Sequence, residues 1–223
     1  MDGTGKIQAV TFDVGGTLIE PWPSVGHVYA EVAARYGAKG LSAEMLNRRF
    51  LAAWKQHPAF DHTVADWAAI VDESFAGLLT EKPSQTFFPE LYEHFGSATA
   101  WRVYADVRPT LEALRTRSLR LGLISNWDDR LRPLLRALDL TEYFEAILIS
   151  CEVGAGKPAP AIFQEAVRRM GVPAGAILHV GDSMEADVQG ARAAGLSAVQ
   201  IERVAEPKQN CQIQSLTELL LRV

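Results

Sequence analysis

From Leu119 onward the sequence alternates short apolar runs with helical stripes, and this alternation constrains the fold more than any other feature. Leu119–Ser125, Ala146–Ser150, Ala176–Gly181 and Ser197–Ile201 have the length and β-rich content of buried strands. Between them, Leu131, Leu134, Leu135 and Leu138 recur at i, i+3, i+4 and i+7, and helices are expected over Ala161–Met170 and Glu185–Ala194. An earlier run, Ile7–Phe12, supplies a further strand that ends on Asp13 before Gly15-Gly16-Thr17 breaks it. A helix leads in after Pro109 and a last one covers Ser215–Leu221. Strands that alternate with helices of this length pack as a parallel sheet with helices on both faces. The expected class is α/β, doubly wound.

Residues 20–104 have a different texture. Val25, Val28, Tyr29, Val32 and Tyr36 recur at helical spacing, as do Met45, Leu46, Phe50, Ala53 and Trp54. Trp67, Ile70, Val71, Phe75 and Leu78 form a third stripe, and Phe88, Leu91, Tyr92 and Phe95 a fourth. No strand-like run interrupts them. The segment reads as an inserted α-helical cap at 20–104, in a Rossmann-like core made of residues 1–19 and 105–223. Four of the five tryptophans fall in the insertion, where they are expected to pack as bundle core. A chain of 223 residues is long enough for such a core with an insertion.

Composition excludes several classes. The net charge is −5, so no nucleic-acid-binding field is expected. No apolar run approaches the ~20 residues of a membrane span. Met1–Lys6 is short and polar with no signal peptide behind it, so a cytoplasmic protein is expected. Cys151 and Cys211 lack metal or redox spacing and are expected to be free thiols.

In a doubly wound sheet the chemistry lies at the C-terminal strand ends. Here those ends carry Asp13, Ser125-Asn126 and Gly181-Asp182-Ser183, with Asp187 beyond. Gly156-Lys157-Pro158 follows the third strand. Two carboxylates at neighbouring strand tips repel unless a cation lies between them, and an all-oxygen ligand set points to Mg²⁺. A carboxylate also serves as a nucleophile toward phosphorus. A hydroxyl from Ser125 and an ammonium from Lys157 suit the oxygens of a phosphoryl group. The weight rests on all four features occurring in order.

That order resembles the haloacid dehalogenase superfamily. The first motif is Phe12-Asp13-Val14-Gly15-Gly16-Thr17-Leu18 and the second is Ile124-Ser125-Asn126. The third runs from Gly156 to Phe163, and the fourth from Val180 to Asp187, followed by Gly190-Ala191 and Ala194-Gly195. Asp13-Val14-Gly15-Gly16-Thr17-Leu18, with Gly26-His27-Val28-Tyr29 and Ser125-Asn126-Trp127-Asp128, resembles the rhythmically-expressed-gene-2-like branch. The resemblance implies an Asp13 nucleophile, Ser125 and Lys157 on the phosphoryl group, and hydrolysis of a small phosphorylated metabolite. It implies Mg²⁺ on Asp13, Asp182 and the Gly15 carbonyl. Asp187 would support the metal through water or orient Lys157.

The family's phosphatases place an acid–base Asp where this chain has Gly15, which has no side chain. General acid–base catalysis is typically worth about 10²–10⁴-fold. Three readings stand side by side. The protein is a slow or leaving-group-selective phosphatase, with Glu20 or His27 as a substitute proton donor. Or it performs dehalogenase or phosphonatase chemistry; the latter uses a cap lysine, and Lys39, Lys55 and Lys82 lie in the cap, but none of them matches that role. Or it is a catalytically weak relative that binds a phosphorylated ligand or a protein partner.

Other polar residues read more simply. Gly154-Ala155-Gly156-Lys157 is not a phosphate-binding loop, because Cys151 and Pro158 stand at required positions. Asp128 and Asp129 read as an N-cap and a first-turn acid of the Leu131 helix. Glu185 reads as a first-turn acid and His179 as a packed core residue. His57, His62 and His94 share no metal-site spacing.

Overall fold

A computed structural model describes residues 6–57, 60–203 and 212–223. The chain divides into two compact units, Met1–Glu20 with Val103–Val223, and Pro21–Arg102. Cys211 lies outside the described residues, and Cys151 is a free, exposed thiol.

The first unit is built on a six-stranded sheet. Its strands are β1 (Ala9–Phe12), β2 (Arg120–Ser125), β3 (Ala146–Ile149), β4 (Ile177–Gly181), β5 (Ser197–Ile201) and β6 (Gln212–Ile213). Every pairing is parallel, in the spatial order β3-β2-β1-β4-β5-β6. β1, β3 and β4 are buried along their whole length, as their largely apolar runs require, with Thr11 and His179 the polar residues among them. Successive side chains leave a strand on opposite faces. Ala9, Ile124, Ala146, Leu148 and Ile177 therefore meet Ile162, Phe163, Ala166 and Met170 of helix Pro160–Met170 in one cluster. Val10, Phe12, Leu121 and Leu123 alternate with these strand residues and are equally buried, as are Leu111 and Leu114 of helix Val107–Thr116.

The strand order reverses at β1: the chain builds outward through β2 and β3, then returns to lay β4 on the other side of β1. The crevice at such a reversal lies at the C-terminal tips of the two flanking strands. Here those tips are Asp13 and Asp182.

Three local features depart from expectation. Ile19–Pro21 and Trp101–Val103 pair as a two-stranded ribbon; runs of three residues carry no readable period. β6 adds a two-residue strand at the sheet edge, too short to show a period in the sequence. Glu185–Ala194 is not one α-helix: a π-helical turn over Met184–Gln189 precedes α-helix Gly190–Ala193.

The second unit packs helices Val25–Arg35, Ala43–Lys55, Val64–Ser74 and Phe88–His94. Ser24, Ser42 and Thr63 cap the first three through their hydroxyls, Thr63 with Asp66 in a reciprocal capping box. Val28, Tyr29, Val32, Leu46, Val71, Phe75 and Leu91 form the core of the bundle. Gly26 permits the close approach of the first two helices, since a Cβ there would meet the Ala43 carbonyl oxygen at 2.0 Å. The tryptophans are not the bundle core. Trp22 and Trp54 are 45% and 37% exposed, and Trp67 packs at the margin. An indole is large and seldom buried whole, and the centre is closed instead by the rings of Tyr29 and Phe75 with the aliphatic side chains around them. No helix among the described residues is long and apolar enough to cross a membrane.

Candidate active site

Asp13 follows β1 directly, and its N–H donates to the Val180 carbonyl of β4 at 2.8 Å. That bond extends the ladder past the last strand residue and fixes where the carboxylate leaves the sheet. Ser125, the last residue of β2, donates its hydroxyl to Asp13 Oδ1 at 3.2 Å. Thr17 Oγ1 lies 3.5 Å from the other oxygen, Oδ2.

Lys157 reaches in from the segment ahead of helix Pro160–Met170. Its Nζ lies 2.6 Å from Asp13 Oδ1 and 2.6 Å from Asp187 Oδ1. Asn126 holds the lysine backbone with two bonds: its Nδ2 donates to the Lys157 carbonyl at 2.8 Å, and its Oδ1 accepts from the Lys157 N–H at 2.6 Å. Asn126 thus positions the lysine, a task that its place in the sequence after Ser125 does not reveal.

The π turn aims Asp187. Both Asp187 and Val188 donate their N–H groups to the Ser183 carbonyl, and Ser183 Oγ accepts from the Ala186 N–H. The wider turn brings Asp187 back toward β4, where its Oδ2 accepts from the Ser183 N–H at 2.9 Å. π turns of this kind concentrate at functional sites. Gly181 makes room: a Cβ there would fall 2.1 Å from Asp187 Cγ.

His179 was expected to be a packed core residue, and it is fully buried. It also bonds on both sides. Its Nε2 lies 3.1 Å from Asp187 Oδ1 and its Nδ1 lies 3.0 Å from Thr11 Oγ1. A carboxylate can only accept, so Nε2 carries the proton. Alternation along β4 was the available signal, because it puts His179 and Gly181 on one face, and Gly181 borders Asp187.

Carboxylate oxygens of Asp13, Asp182 and Asp187 lie within 4.8 Å of one another. Lys157 is the ammonium that Asp13 and Asp187 share. Burial raises the Asp13 pKa against the pull of Lys157. Burial also opposes ionisation of Asp187, but Lys157 and His179 prevail and hold it well below the usual carboxylate range. Lys157 stays charged, because Asp13 and Asp187 outweigh the cost of burying it. Burial, and then the charges of Asp13 and Asp187, raise Asp182 to about 7. Gly16 cradles Asp182. Its φ is +72° and a Cβ there would lie 2.6 Å from Asp182 Oδ2, so only glycine fits.

Gly15 adopts an ordinary backbone conformation, and a Cβ built on it meets Trp127 Cζ3 at 3.4 Å. Among the described residues no backbone N–H donates to its carbonyl; Ile19 instead donates to Val14. Glu20 belongs to the same unit and hydrogen-bonds Tyr104. His27 belongs to the helical unit, where its Nδ1 lies 2.8 Å from Ser24 Oγ. Lys39, Lys55 and Lys82 are all exposed on that unit. Asp128 and Asp129 do not cap the Leu131 helix, which begins after Arg130 with no acid in its first turn. Asp128 instead turns back to grip the Arg130 guanidinium at 2.6 and 2.9 Å. Glu185 does sit in the first turn after Ser183. Among the described residues His57, His62 and His94 join no metal-ligating cluster.

A doubly wound parallel sheet with carboxylates and a buried lysine gathered at its reversal point defines a class of α/β hydrolase. The family model for haloacid dehalogenase-like hydrolases matches residues 7–195, and the chain belongs to that family. Haloacid dehalogenase-like hydrolase domain-containing protein 3 of Mus musculus is 33% identical over 202 residues, covering 86% of this chain and 80% of that one. Rhythmically expressed gene 2 protein of Drosophila melanogaster is 28% identical over 216 residues, covering 87% and 83%. These relatives match the branch suggested by the motifs around Asp13 and Ser125. The crystal structure of a phosphatase of this family from Thermococcus onnurineus superposes with a TM-score of 0.69 at 30% identity, covering 97% of each chain.

Proposed function

We propose that this hydrolase cleaves a small phosphorylated metabolite with Mg²⁺, through a phosphoryl group carried transiently on Asp13. The observation that carries this reading is the convergence of Lys157 Nζ and Ser125 Oγ on one Asp13 oxygen. That arrangement holds a carboxylate in place and offers two donors to any phosphoryl oxygen that arrives beside it. The solved phosphatase relative supports the same chemistry.

The residues present fit a hard divalent cation. The donor set is all oxygen, and the one ammonium pairs with Asp13 and Asp187 while Asp182 lies beside them unpaired with it, which leaves negative charge uncompensated. Asp13, Asp182 and the Gly15 carbonyl would hold Mg²⁺. Asp187 has Lys157 and His179 on one oxygen and the Ser183 N–H on the other, which favours orienting the lysine over binding the metal directly. When bound, the cation would neutralise phosphoryl oxygens and let two carboxylates share the site.

An Asp13 oxygen attacks phosphorus and displaces the leaving oxygen; water then attacks the same phosphorus and frees Asp13. Lys157 and Ser125 donate to the phosphoryl oxygens in both steps. Residues 20–104 form the helical cap of a core made of 1–19 and 105–223 in this proposal, and the setting is cytoplasmic. A second reading, binding of a phosphorylated ligand or protein partner with little turnover, draws on the missing side chain at Gly15.

A screen of phosphorylated metabolites with and without Mg²⁺, using Asp13→Asn as control, tests the proposal. Mg²⁺-dependent phosphate release that disappears in the variant is expected. Release that persists in Asp13→Asn contradicts it, and binding without release favours the second reading.

A further inference from the structure

The indole of Trp127 lies over Gly15, two residues past Asp13. Among the described residues, Trp127 Cζ3 at 3.4 Å is the single heavy atom within 4 Å of a Cβ built there, beyond the glycine's chain neighbours. The Trp127 backbone is pinned on both sides. Its N–H donates to Ser150 Oγ at 3.1 Å, and its carbonyl accepts from the Ser150 hydroxyl at 3.1 Å and the Cys151 N–H at 3.4 Å. Trp127 is half-buried as a residue, so some of its surface stays within reach of an incoming molecule.

Among the described residues, the hydroxyl, ammonium and imidazole donors around Asp13 are already engaged, and Asp182 is the carboxylate that Mg²⁺ would occupy in the reading above. Ser125 donates to Asp13, Lys157 bridges Asp13 and Asp187, and His179 donates to Asp187. The space beside Gly15 therefore presents aromatic carbon. An oxygen that leaves phosphorus toward Gly15 meets a flat apolar surface and has to carry its own negative charge. Alkoxides do this poorly, whereas phenolate and enolate oxygens delocalise it over a plane that can pack on an indole.

Resting on the phosphohydrolase reading above, we propose that the site takes phosphate monoesters of planar, conjugated hydroxyls, phenols or enols, whose leaving group packs on Trp127 and departs unprotonated. In the first step an Asp13 oxygen bonds to phosphorus, the ester P–O bond breaks, and its electron pair leaves on the aryl or enol oxygen. In the second, a water oxygen bonds to phosphorus and the bond to Asp13 breaks, returning the electron pair to the carboxylate. Both water protons depart on dihydrogen phosphate. Neither step calls for a proton donor at position 15.

The test compares phenyl phosphate, acetyl phosphate and glycerol phosphate as substrates of the Mg²⁺-loaded protein, and phenylphosphonate with methylphosphonate as ligands by calorimetry. Glycerol phosphate should turn over about 10²–10⁴-fold more slowly than phenyl phosphate, the usual span of general acid catalysis. Phenylphosphonate should bind roughly three- to tenfold more tightly than methylphosphonate, as one aromatic pair provides. Trp127→Ala should abolish that binding preference and lower the ratio of phenyl phosphate to acetyl phosphate kcat/KM by a similar factor. Gly15→Asp should raise glycerol phosphate turnover selectively. Equal rates for phenyl and glycerol phosphate, or a binding preference that survives Trp127→Ala, overturn the inference. So does a selective loss of glycerol phosphate turnover in Glu20→Gln, which would identify another donor. Asp13-dependent turnover without ring preference sinks this inference alone; Asp13-independent turnover sinks the reading beneath it.

Discussion

The Nζ of Lys157 lies 2.6 Å from Oδ1 of Asp13, and the two side chains are only 3% and 10% exposed. Asp187 accepts from the same ammonium at 2.6 Å. A buried pair of this kind is costly to break, because the partner left behind is an uncompensated charge. Lys157→Met should therefore destabilise the fold by about 3–5 kcal/mol in chemical denaturation. A loss under ~1 kcal/mol would mean that the two aspartates are neutral in the absence of the lysine.

Gly16→Ala acts on the neighbouring carboxylate. The new methyl would sit 2.6 Å from Asp182 Oδ2, on a backbone at φ +72° that L side chains adopt at a cost of roughly 1–2 kcal/mol. Displacing Asp182 should weaken Mg²⁺ binding at least tenfold by calorimetry, about 1.4 kcal/mol. Unchanged affinity would remove Asp182 from the metal site.

His179 tests whether Asp187 needs an anchor. His179→Phe removes the Nε2 donor to Asp187 and the partner of Thr11, and a buried group left unsatisfied costs about 1–3 kcal/mol. Turnover should fall with it, while His179→Gln, which keeps a donor, should recover part of both. Equal turnover in the two variants would show that the bond to Asp187 is structural only.

Asp106 makes acid stability predictable. Burial works against its charge, but Arg203, the Leu216 N–H and the Ser215 hydroxyl together hold its pKa below the ordinary value. A depressed carboxylate stabilises the folded state above its unfolded pKa of about 3.9 and loses that contribution as pH falls through the folded value. Asp106→Asn should therefore be less stable than wild type near neutrality, and the gap should narrow below about pH 4. A gap independent of pH would assign the loss to packing rather than charge. The contacts tie the C-terminal segment to the start of helix Val107–Thr116, so the deficit should appear first as faster amide exchange around Leu216.

The sheet was legible because the buried strands are mostly apolar runs that end on polar tips. Asp13, Ser125, Lys157, Asp182 and Asp187 follow from that pattern, and the fold brings them together. What escaped has a common cause in distance or brevity. The ribbon strands are three residues long, too short to show a period. The π turn that aims Asp187 differs from an α turn by one residue of register, which composition does not encode. His179 looked apolar by its neighbours, and its polar partners come from other segments. Trp127 over Gly15 is a contact between residues 112 apart in the chain, visible only once β1 and β2 are side by side.

Trapping beryllofluoride with Mg²⁺ and locating the beryllium by crystallography tests the central claim most directly. A phosphoryl-accepting Asp13 predicts a beryllium–oxygen bond to its carboxylate, with Lys157 and Ser125 donating to the fluorides. No adduct, or an adduct that forms equally well in Asp13→Asn, would contradict it.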